Sequence, residues 1–157
     1  IKIIENINDK NIKFKLIGNL FVSQKKYFKE NLSTINKIIH KLKWHKNIDH
    51  PKEIMKSFDI LLCTSNYESL PLSIIEALSM SIPVISTDVG DISYVLNKKK
   101  CGFIVDPKVD EFTNVIHLLK NDRNKMLKLS NNAKKNVYKN FNIKNYKKKL
   151  EKEIFID

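Results

Sequence analysis

The sequence predicts an α/β fold, a doubly wound parallel sheet of the Rossmann-like type, and three observations support it. Apolar, strand-like segments alternate with helix-periodic segments five times along the 157 residues. Two of these segments, Asp59–Thr64 (DILLCT) and Pro83–Ser86 (PVIS), are apolar runs without alternating polar positions, which is typical of strands covered on both faces. The chain has three glycines, four prolines and no internal repeat, so a single domain over residues 1–157 is expected.

The first half of the chain supplies two further strands and two helices. Lys13–Gly18 alternates polar and apolar residues and stops at glycine, which predicts a strand. Val22–Leu42 is lysine-rich and helix-periodic, and a short strand, Leu42–His45, follows it. Pro51 opens a brief helix that continues to Phe58, because proline is tolerated in the first helical turn.

The second half repeats the pattern with shorter elements. Leu72–Ser81 and Asp91–Leu96 are predicted helices, Gly102–Val105 is a strand, and the remaining residues are helical with few breaks. In parallel sheets, ligands bind beyond the carboxyl ends of the strands. Residues 65–73 and 87–90 follow two such ends, so we expect the ligand there.

Composition narrows the class of protein. With 42% hydrophobic and 29% charged residues, the chain has the balance of a globular domain. We expect no secretion signal, since the sequence shows neither a charged leader before an apolar core nor a small-residue cleavage site, and no apolar run approaches the roughly 18 residues of a membrane span. Cys63 and Cys101 lie far apart among apolar neighbours, which favours neither a disulfide nor a zinc pair and fits a reducing cytoplasm. The histidine spacing predicts no metal site.

The net charge of +12 is concentrated at the C-terminus, where residues 121–157 contribute +7. An abundance of lysine throughout the chain explains this excess without any partner. Alternatively, residues 142–157 form a terminal basic helix whose apolar stripe rests on anionic lipid or on a neighbouring domain. The stripe consists of Ile143, Tyr146, Leu150 and Ile154, with lysines at 144 and 147–149 around it.

Two glutamates separated by seven residues, Glu68 and Glu76, are the main candidates for function. An ionised carboxylate can accept two hydrogen bonds from the cis-diol of a ribose, a role that fits Glu76. The start of the helix between them offers amides to a diphosphate, from Leu72, Ser73 and Ile74. Glu68, on the preceding loop, would then face a sugar, and a nucleotide sugar is such a ligand.

A structural reading of the same residues stays open. Ser73 and Glu76 have the spacing of a capping box, in which Glu76 only returns a hydrogen bond to the helix start. Glu68 is equally an ordinary solvated loop acid. The apolar neighbours of Glu76 predict a broadly buried helix, where a carboxylate without a ligand is costly.

Residues 58–107 resemble the donor-binding half of retaining GT-B glycosyltransferases of the glycosyl transferases group 1, or family four, type. The features that carry the resemblance are the glutamate pair, an Ala-containing helix, the Pro83–Val84 strand start, and an Asp-x-Gly loop ending at Gly90. A looser resemblance extends over residues 1–155. The group includes many enzymes of bacterial cell-surface polysaccharide and glycolipid synthesis, and the chain would be the C-terminal half of the GT-B fold.

The resemblance implies a role for each motif residue. Glu76 would hold the ribose hydroxyls, and Glu68, the residue nearest the chemistry, would contact the donor sugar. Such enzymes retain anomeric configuration, need no metal or cofactor, and stabilise the leaving group electrostatically. The remaining donor-binding residues would be the amides of Leu70, Leu72 and Ser73, near sugar and phosphates, and the turn of Asn47 and Ile48, near the base.

The chain departs from the family at several positions. Ser69, Leu70 and Pro71 replace the usual glycines after the first glutamate, and Ser81 stands where glycine commonly precedes the next strand. An Arg and a Lys that neutralise the diphosphate, the first strand and the N-terminal acceptor domain would all precede Ile1. We therefore expect a fragment of a hexosyltransferase that binds nucleotide weakly and does not turn over alone.

Two other functions remain possible from the sequence. One is a GT-B-like nucleotide-sugar epimerase, which would need paired histidine and acid at the sugar. The other is a non-catalytic basic α/β domain that binds nucleic acid or lipid through its lysines. The glycosyltransferase prediction carries partners with it: a nucleotide-diphosphate sugar, a sugar or lipid-linked acceptor and an anionic membrane surface, but no nucleic acid. It also implies a cytoplasmic location, peripheral at the inner face of the membrane.

Overall fold

The computed structural model describes residues 1–19, 22–96, 100–145, 147 and 151. Its strands and helices alternate, and every strand pair within it is parallel. The predicted α/β class with parallel sheets is therefore confirmed. The chain divides into two compact units, Ile1–Ile54 and Met55–Asp157, which we describe separately. A single domain over residues 1–157 stays a prediction.

The first unit contains a two-stranded parallel sheet with Phe14 opposite Leu42 and Ile17 opposite His45. Both strands match the sequence prediction. Buried isoleucines at positions 7, 35 and 38 supply its apolar interior. The elements in chain order are α1 (Lys2–Asn6), β1 (Phe14–Ile17), α2 (Val22–Glu30), α3 (Leu32–Ile38), β2 (Leu42–His45) and α4 (Pro51–Met55), which begins in this unit.

The single long helix predicted over Val22–Leu42 is wrong, because the chain breaks at Asn31 into α2 and α3. The Asn31 side chain donates to the carbonyl of Tyr27 over 2.8 Å, satisfying an acceptor at the end of α2. Its own carbonyl accepts from the N–H of Ile35 over 2.9 Å, which starts α3. Asparagine competes locally with helical hydrogen bonds in this way, and the periodicity of the flanking residues does not reveal it. The next helix, α4, also ends early, at Met55 rather than Phe58.

The second unit contains a three-stranded parallel sheet in the order β3, β4, β5. The central strand, β4, is buried at all three positions, as its apolar sequence predicts. Strand β3 is only half-buried, so the expectation of a strand covered on both faces is wrong there. Its elements are β3 (Leu61–Cys63), α5 (Leu72–Ser79), β4 (Val84–Ser86), α6 (Ile92–Val95), β5 (Gly102–Ile104), α7 (Val109–Asn121) and α8 (Arg123–Asn140).

Helix α8 is fixed at its start and along its length by side-chain hydrogen bonds. Asp122 caps it by accepting from the N–H of Lys125 over 2.8 Å. Asn136, only 4% exposed, donates to the carbonyl of Val95 over 2.7 Å and so ties α8 to α6. Of the predicted basic helix over 142–157, Ile143 is 77% exposed, and the other three apolar positions of the stripe lie outside the described residues.

No helix in the described part of the chain is long and apolar enough to cross a membrane. A cleft of about 430 Å³ lies at the amino end of β1 and β2, opposite the end at which parallel sheets bind ligands. It therefore does not coincide with any residue predicted to bind a donor. The cleft is lined by Lys13, Phe14, Lys15, Ile39, His40, Lys41, Leu42 and Lys43.

Helix α5 ends in a Schellman motif with Ser81 in the left-handed region, at a φ of 65°. The N–H of Ile82 donates to the carbonyl of Ala77 over 2.9 Å, and that of Ser81 to Leu78 over 3.0 Å. Ile82 is 4% exposed and follows the turn into the interior. Glycine adopts this conformation without the steric penalty that a Cβ imposes. This explains why glycine is common at this position in the family that the chain resembles.

Replacing Ser81 with glycine should therefore stabilise the chain. We expect Ser81→Gly to raise the free energy of unfolding by about 1 kcal/mol, the strain of one left-handed residue. Urea denaturation followed by circular dichroism measures it. Ser130→Gly, inside α8, is the matched control and should lower stability by about 0.5 kcal/mol. Equal losses in the two variants would contradict the strain at Ser81.

Cys101 is fully buried, and both cysteines are free. Burial raises the pKa of the Cys101 thiol from 9.0 to about 11, although the Lys100 charge lowers it slightly. Since the folded state holds the thiol proton more tightly than the unfolded chain, this thiol favours folding below about pH 9. That contribution to stability disappears as the pH rises through about 11.

Alkylation at pH 8 should consequently discriminate between the two thiols. We expect iodoacetamide to modify the half-buried Cys63 well before Cys101, because only the thiolate reacts and the Cys101 thiolate is scarce. Peptide mass spectrometry at timed intervals gives the two rates. In urea the rates should converge, whereas a faster reaction at Cys101 in the folded chain would contradict its burial.

Candidate functional site

The loops after β3 and β4 lie at the same edge of the second unit's sheet. The two strands pair in register, with Cys63 beside Ser86, so both end at this edge. We name residues 64–71 the glutamate loop and residues 87–91 the glycine loop. The sequence predicted a ligand at residues 65–73 and 87–90, and the structure brings these segments to the same edge.

Glu68 is exposed within the glutamate loop. Its Oε1 accepts a hydrogen bond from the Ser65 hydroxyl over 2.9 Å. Leu70, whose amide was predicted to approach the sugar, is 40% exposed. The loop therefore presents an oriented carboxylate at the carboxyl edge of the sheet, where it is accessible to a ligand.

Glu76 lies on α5, which begins directly after Pro71. The helix buries Ile74, Ala77 and Leu78 fully, and these positions share one face. Glu76 is half-buried and points away from that face. The broadly buried helix predicted from sequence is thus wrong, and burial gives no independent support for a ligand at Glu76.

The capping box considered from the sequence does not form with Ser73 as its cap. Pro71 is the N-cap of α5, which makes Ser73 the second helical residue. The N–H of Ile74 donates to the Pro71 carbonyl over 3.1 Å, so this amide, one of three offered to a phosphate, already has a partner. The amides of Leu72 and Ser73 belong to the first turn, where helix geometry supplies no intrahelical acceptor.

Leu72, Ser73 and Glu76 share one side of α5. Positions three and four apart in a helix are neighbours on its surface, and both Leu72 and Ser73 are exposed. The half-buried carboxylate therefore lies one turn beyond the amides of the helix start. A carboxylate at that distance from an anion-binding helix end can engage hydroxyl groups of the same ligand.

Asn47 and Ile48 lie in the first unit, at the carboxyl end of β2. Asn47 has a φ of 50°, and its N–H donates to Asn19 Oδ1 over 3.0 Å. The Trp44 indole donates to the carbonyl of Gly18 over 2.8 Å, so the turns after β1 and β2 are tied together. Ile48 is 37% exposed. The structure thus presents the predicted site residues in two groups, each within its own unit.

The residues described contain no group of three His, Cys, Asp or Glu placed to hold a metal ion. The Nε2 atom of His45 is buried and has no hydrogen-bond partner within the part of the chain that the structure describes. His45 follows Trp44 at the end of β2, beside the predicted base-binding turn, and no sequence pattern singles it out.

Sequence reasoning missed the residues that join the two loops of the second unit. The Thr87 hydroxyl donates to the carbonyl of Ser65 over 2.6 Å, and the N–H of Asp91 donates to the carbonyl of Ser69 over 2.9 Å. Gly90 lies against the backbone of Glu68. The signals available beforehand were the Asp-x-Gly loop that ends at Gly90 and the position of these residues after two strands of one predicted sheet, and neither indicates these contacts.

A protein-family model described as glycosyl transferases group 1 matches residues 1–136 of the chain. Among curated proteins, the UDP-Gal:alpha-D-GlcNAc-diphosphoundecaprenol alpha-1,3-galactosyltransferase of Escherichia coli is 27% identical over 158 aligned residues, which cover 99% of this chain and 39% of that protein. Sucrose synthase from Denitrovibrio acetiphilus is 33% identical over 89 residues, covering 54% and 11%. The chain therefore spans about two fifths of the first relative and about a tenth of the second.

Solved structures show the same fold at low sequence identity. A glycosyltransferase from Rickettsia africae has a TM-score of 0.83 at 20% identity, covering 99% of this chain and 43% of that one. HepE from Anabaena, in complex with UDP, has a TM-score of 0.82 at 20% identity, covering 93% and 41%.

The C-terminal domain of a glycosyl transferase group 1 family protein, LpcC, from Francisella tularensis has a TM-score of 0.79 at 20% identity, covering 90% of this chain and 77% of that one. The fold is accordingly that of the C-terminal half of a GT-B glycosyltransferase, as the sequence predicted. Since the family model covers more than half of the chain, the protein belongs to the glycosyl transferases group 1 family.

Proposed function

We propose that the chain is the nucleotide-sugar donor-binding domain of a retaining hexosyltransferase. The observation that carries the proposal is an exposed, oriented Glu68 beside the start of α5, at the carboxyl edge of a parallel sheet, in a member of this family. The helix start suits the diphosphate of a nucleotide sugar. The two carboxylates suit the hydroxyl groups of its ribose and of its transferred sugar.

Each part of the donor then has a binding group of suitable chemistry. The amides of Leu72 and Ser73, at the positive end of α5, bind the diphosphate. Glu76 accepts hydrogen bonds from the ribose hydroxyls, and Glu68, with the amide of Leu70, contacts the sugar. Pro71 has no N–H, so it contributes none of these contacts.

The base lies at the turn of Asn47 and Ile48 in this proposal. During transfer, negative charge develops on the leaving diphosphate, and the helix start stabilises that charge without a metal. The transferred sugar keeps its anomeric configuration in this proposal, because the chain resembles retaining glycosyltransferases. In this proposal residues 1–157 form a single donor-binding domain, and the acceptor, a sugar or a lipid-linked sugar, binds an N-terminal domain of the whole protein.

Relatives indicate which donors to test first. The Escherichia coli relative is named for transfer from UDP-Gal, and the Anabaena structure holds UDP. The same relative is named for an acceptor on diphosphoundecaprenol, a lipid carrier. By this analogy the protein takes part in cell-surface polysaccharide or glycolipid synthesis and works as a peripheral protein at the cytoplasmic face of the membrane.

Removing the charge of Glu76 should weaken nucleotide binding. We expect Glu76→Gln to raise the Kd for the preferred nucleoside diphosphate about tenfold or more, because a charge-assisted pair of hydrogen bonds to the ribose is lost. Isothermal titration with UDP, ADP and GDP identifies the base and measures the change.

Glu111→Gln is the matched control, since Glu111 is an exposed acid in the first turn of α7 and the variant changes the net charge equally. Unchanged affinity in Glu76→Gln, together with binding that falls steeply with salt, would instead favour a basic binding domain.

The 157 residues alone should bind the donor and transfer nothing. The reason is that the chain spans 39% of its Escherichia coli relative, and the acceptor is assigned to the remainder. Incubation with UDP-galactose or UDP-glucose, followed by chromatography of the released UDP, tests this. Turnover by the isolated chain would overturn the assignment of acceptor binding to a preceding domain.

A further inference from the structure

The glutamate loop and the glycine loop are joined by two hydrogen bonds. The Thr87 hydroxyl donates to the carbonyl of Ser65 over 2.6 Å, and the N–H of Asp91 donates to the carbonyl of Ser69 over 2.9 Å. In addition, the N–H of Thr87 donates over 3.2 Å to the carbonyl of Cys63, the last residue of β3. Thr87 is 4% exposed, so its hydroxyl bond is shielded from water. The glutamate loop is therefore held at both of its ends by the strand and loop that follow α5.

Gly90 fixes the middle of the glutamate loop. A Cβ placed on Gly90 would lie 2.2 Å from the carbonyl oxygen of Glu68 and 2.5 Å from that of Ser69. Gly90 also has a φ of 54°, where glycine is favoured. The backbone of Glu68 can occupy its position only because residue 90 has no side chain.

Ser65 connects this backbone contact to the carboxylate. Its carbonyl accepts the Thr87 hydroxyl, and its own hydroxyl donates to Glu68 Oε1 over 2.9 Å. A chain of hydrogen bonds thus runs from the buried Thr87 through Ser65 to the exposed Glu68. An exposed glutamate is otherwise free to sample several rotamers, and holding it in one of them reduces the entropy lost when a ligand binds.

We propose that Ser65, Thr87 and Gly90 are positioning residues that hold Glu68 for the donor sugar, and that they determine how much more tightly the domain binds a nucleotide sugar than the bare nucleoside diphosphate. The inference rests on the proposed function, because it takes Glu68 as the group that contacts the sugar. In this proposal the three residues act through the orientation of one carboxylate and not through contacts of their own with the donor.

The readout is the ratio of two dissociation constants, that of UDP over that of UDP-glucose or UDP-galactose, whichever binds the wild-type chain more tightly. A residue that only supports folding changes both constants together. A residue that positions Glu68 changes the ratio, because bare UDP has no sugar for Glu68 to contact.

Thr87→Val removes the hydroxyl while nearly preserving volume. It should lower the ratio about tenfold, the effect of losing one hydrogen bond between the sugar and the charged Glu68 carboxylate. Thr113→Val is the matched control. Thr113 is also buried, at 8% exposed, and its hydroxyl also donates to a backbone carbonyl, that of Val109 over 3.0 Å, but it lies in α7. We expect it to lower stability and leave the ratio unchanged.

Ser65→Ala is the second variant and serves if Thr87→Val fails to fold. It removes the hydrogen bond from a half-buried side chain to Glu68, together with a weak one that the Ser65 hydroxyl accepts from Cys63 Sγ over 3.8 Å. A double-mutant cycle completes the test. In a Glu68→Gln background the ratio should already be low, and adding Thr87→Val or Ser65→Ala should lower it by less than twofold more.

The outcomes separate the two proposals. If the wild-type chain binds none of UDP, ADP and GDP, the proposed function fails. When the chain binds UDP but Thr87→Val and Ser65→Ala keep the wild-type ratio, or when the sugar adds no affinity at all, donor binding stands and the positioning proposal fails. Three results together support the positioning proposal. Thr87→Val and Ser65→Ala both lower the ratio, Thr113→Val leaves it unchanged, and neither of the first two variants lowers it by twofold or more in the Glu68→Gln background.

Discussion

Parallel, in-register pairing of β3 with β4 places Cys63 beside Ser86, and the rest of the candidate site follows from that pairing. Because both strands end at one edge, the loops that leave them run side by side and can share hydrogen bonds. The pairing also sets the start of α5, since the glutamate loop leads directly into that helix. A register shift of one residue would move the Thr87 hydroxyl away from the carbonyl of Ser65.

Local sequence signals predicted most of the strands and helices of the two units. Strand β4 was predicted from an uninterrupted apolar run, and it is the most buried strand, so hydrophobic patterning alone determined it. Strand β2 was predicted with its observed bounds. The break at Asn31 was not predicted, because it depends on one side-chain bond to Tyr27 within a segment whose periodicity is helical on both sides.

The site was predicted less completely than the fold. Spacing and family resemblance selected Glu68 and Glu76, but whether Glu76 was buried or exposed depends on which face of α5 packs inward, and nearly continuous apolar character hides that face. Thr87 and Gly90 contact a loop that lies about twenty residues earlier in the chain. Their neighbours in sequence do not predict these contacts, so only the tertiary structure reveals them.

The Schellman motif at Ser81 matters beyond the end of its helix. It turns the chain so that Ile82 and Pro83 lead into β4 almost without a connecting loop, while the glycine loop that leaves β4 returns to hold the segment before α5. One three-residue strand therefore anchors the helix at both ends. Contacts therefore hold helix α5 at both ends, so tilting the helix that carries Glu76 would require breaking the Schellman motif or the contacts of the glycine loop with the segment before α5.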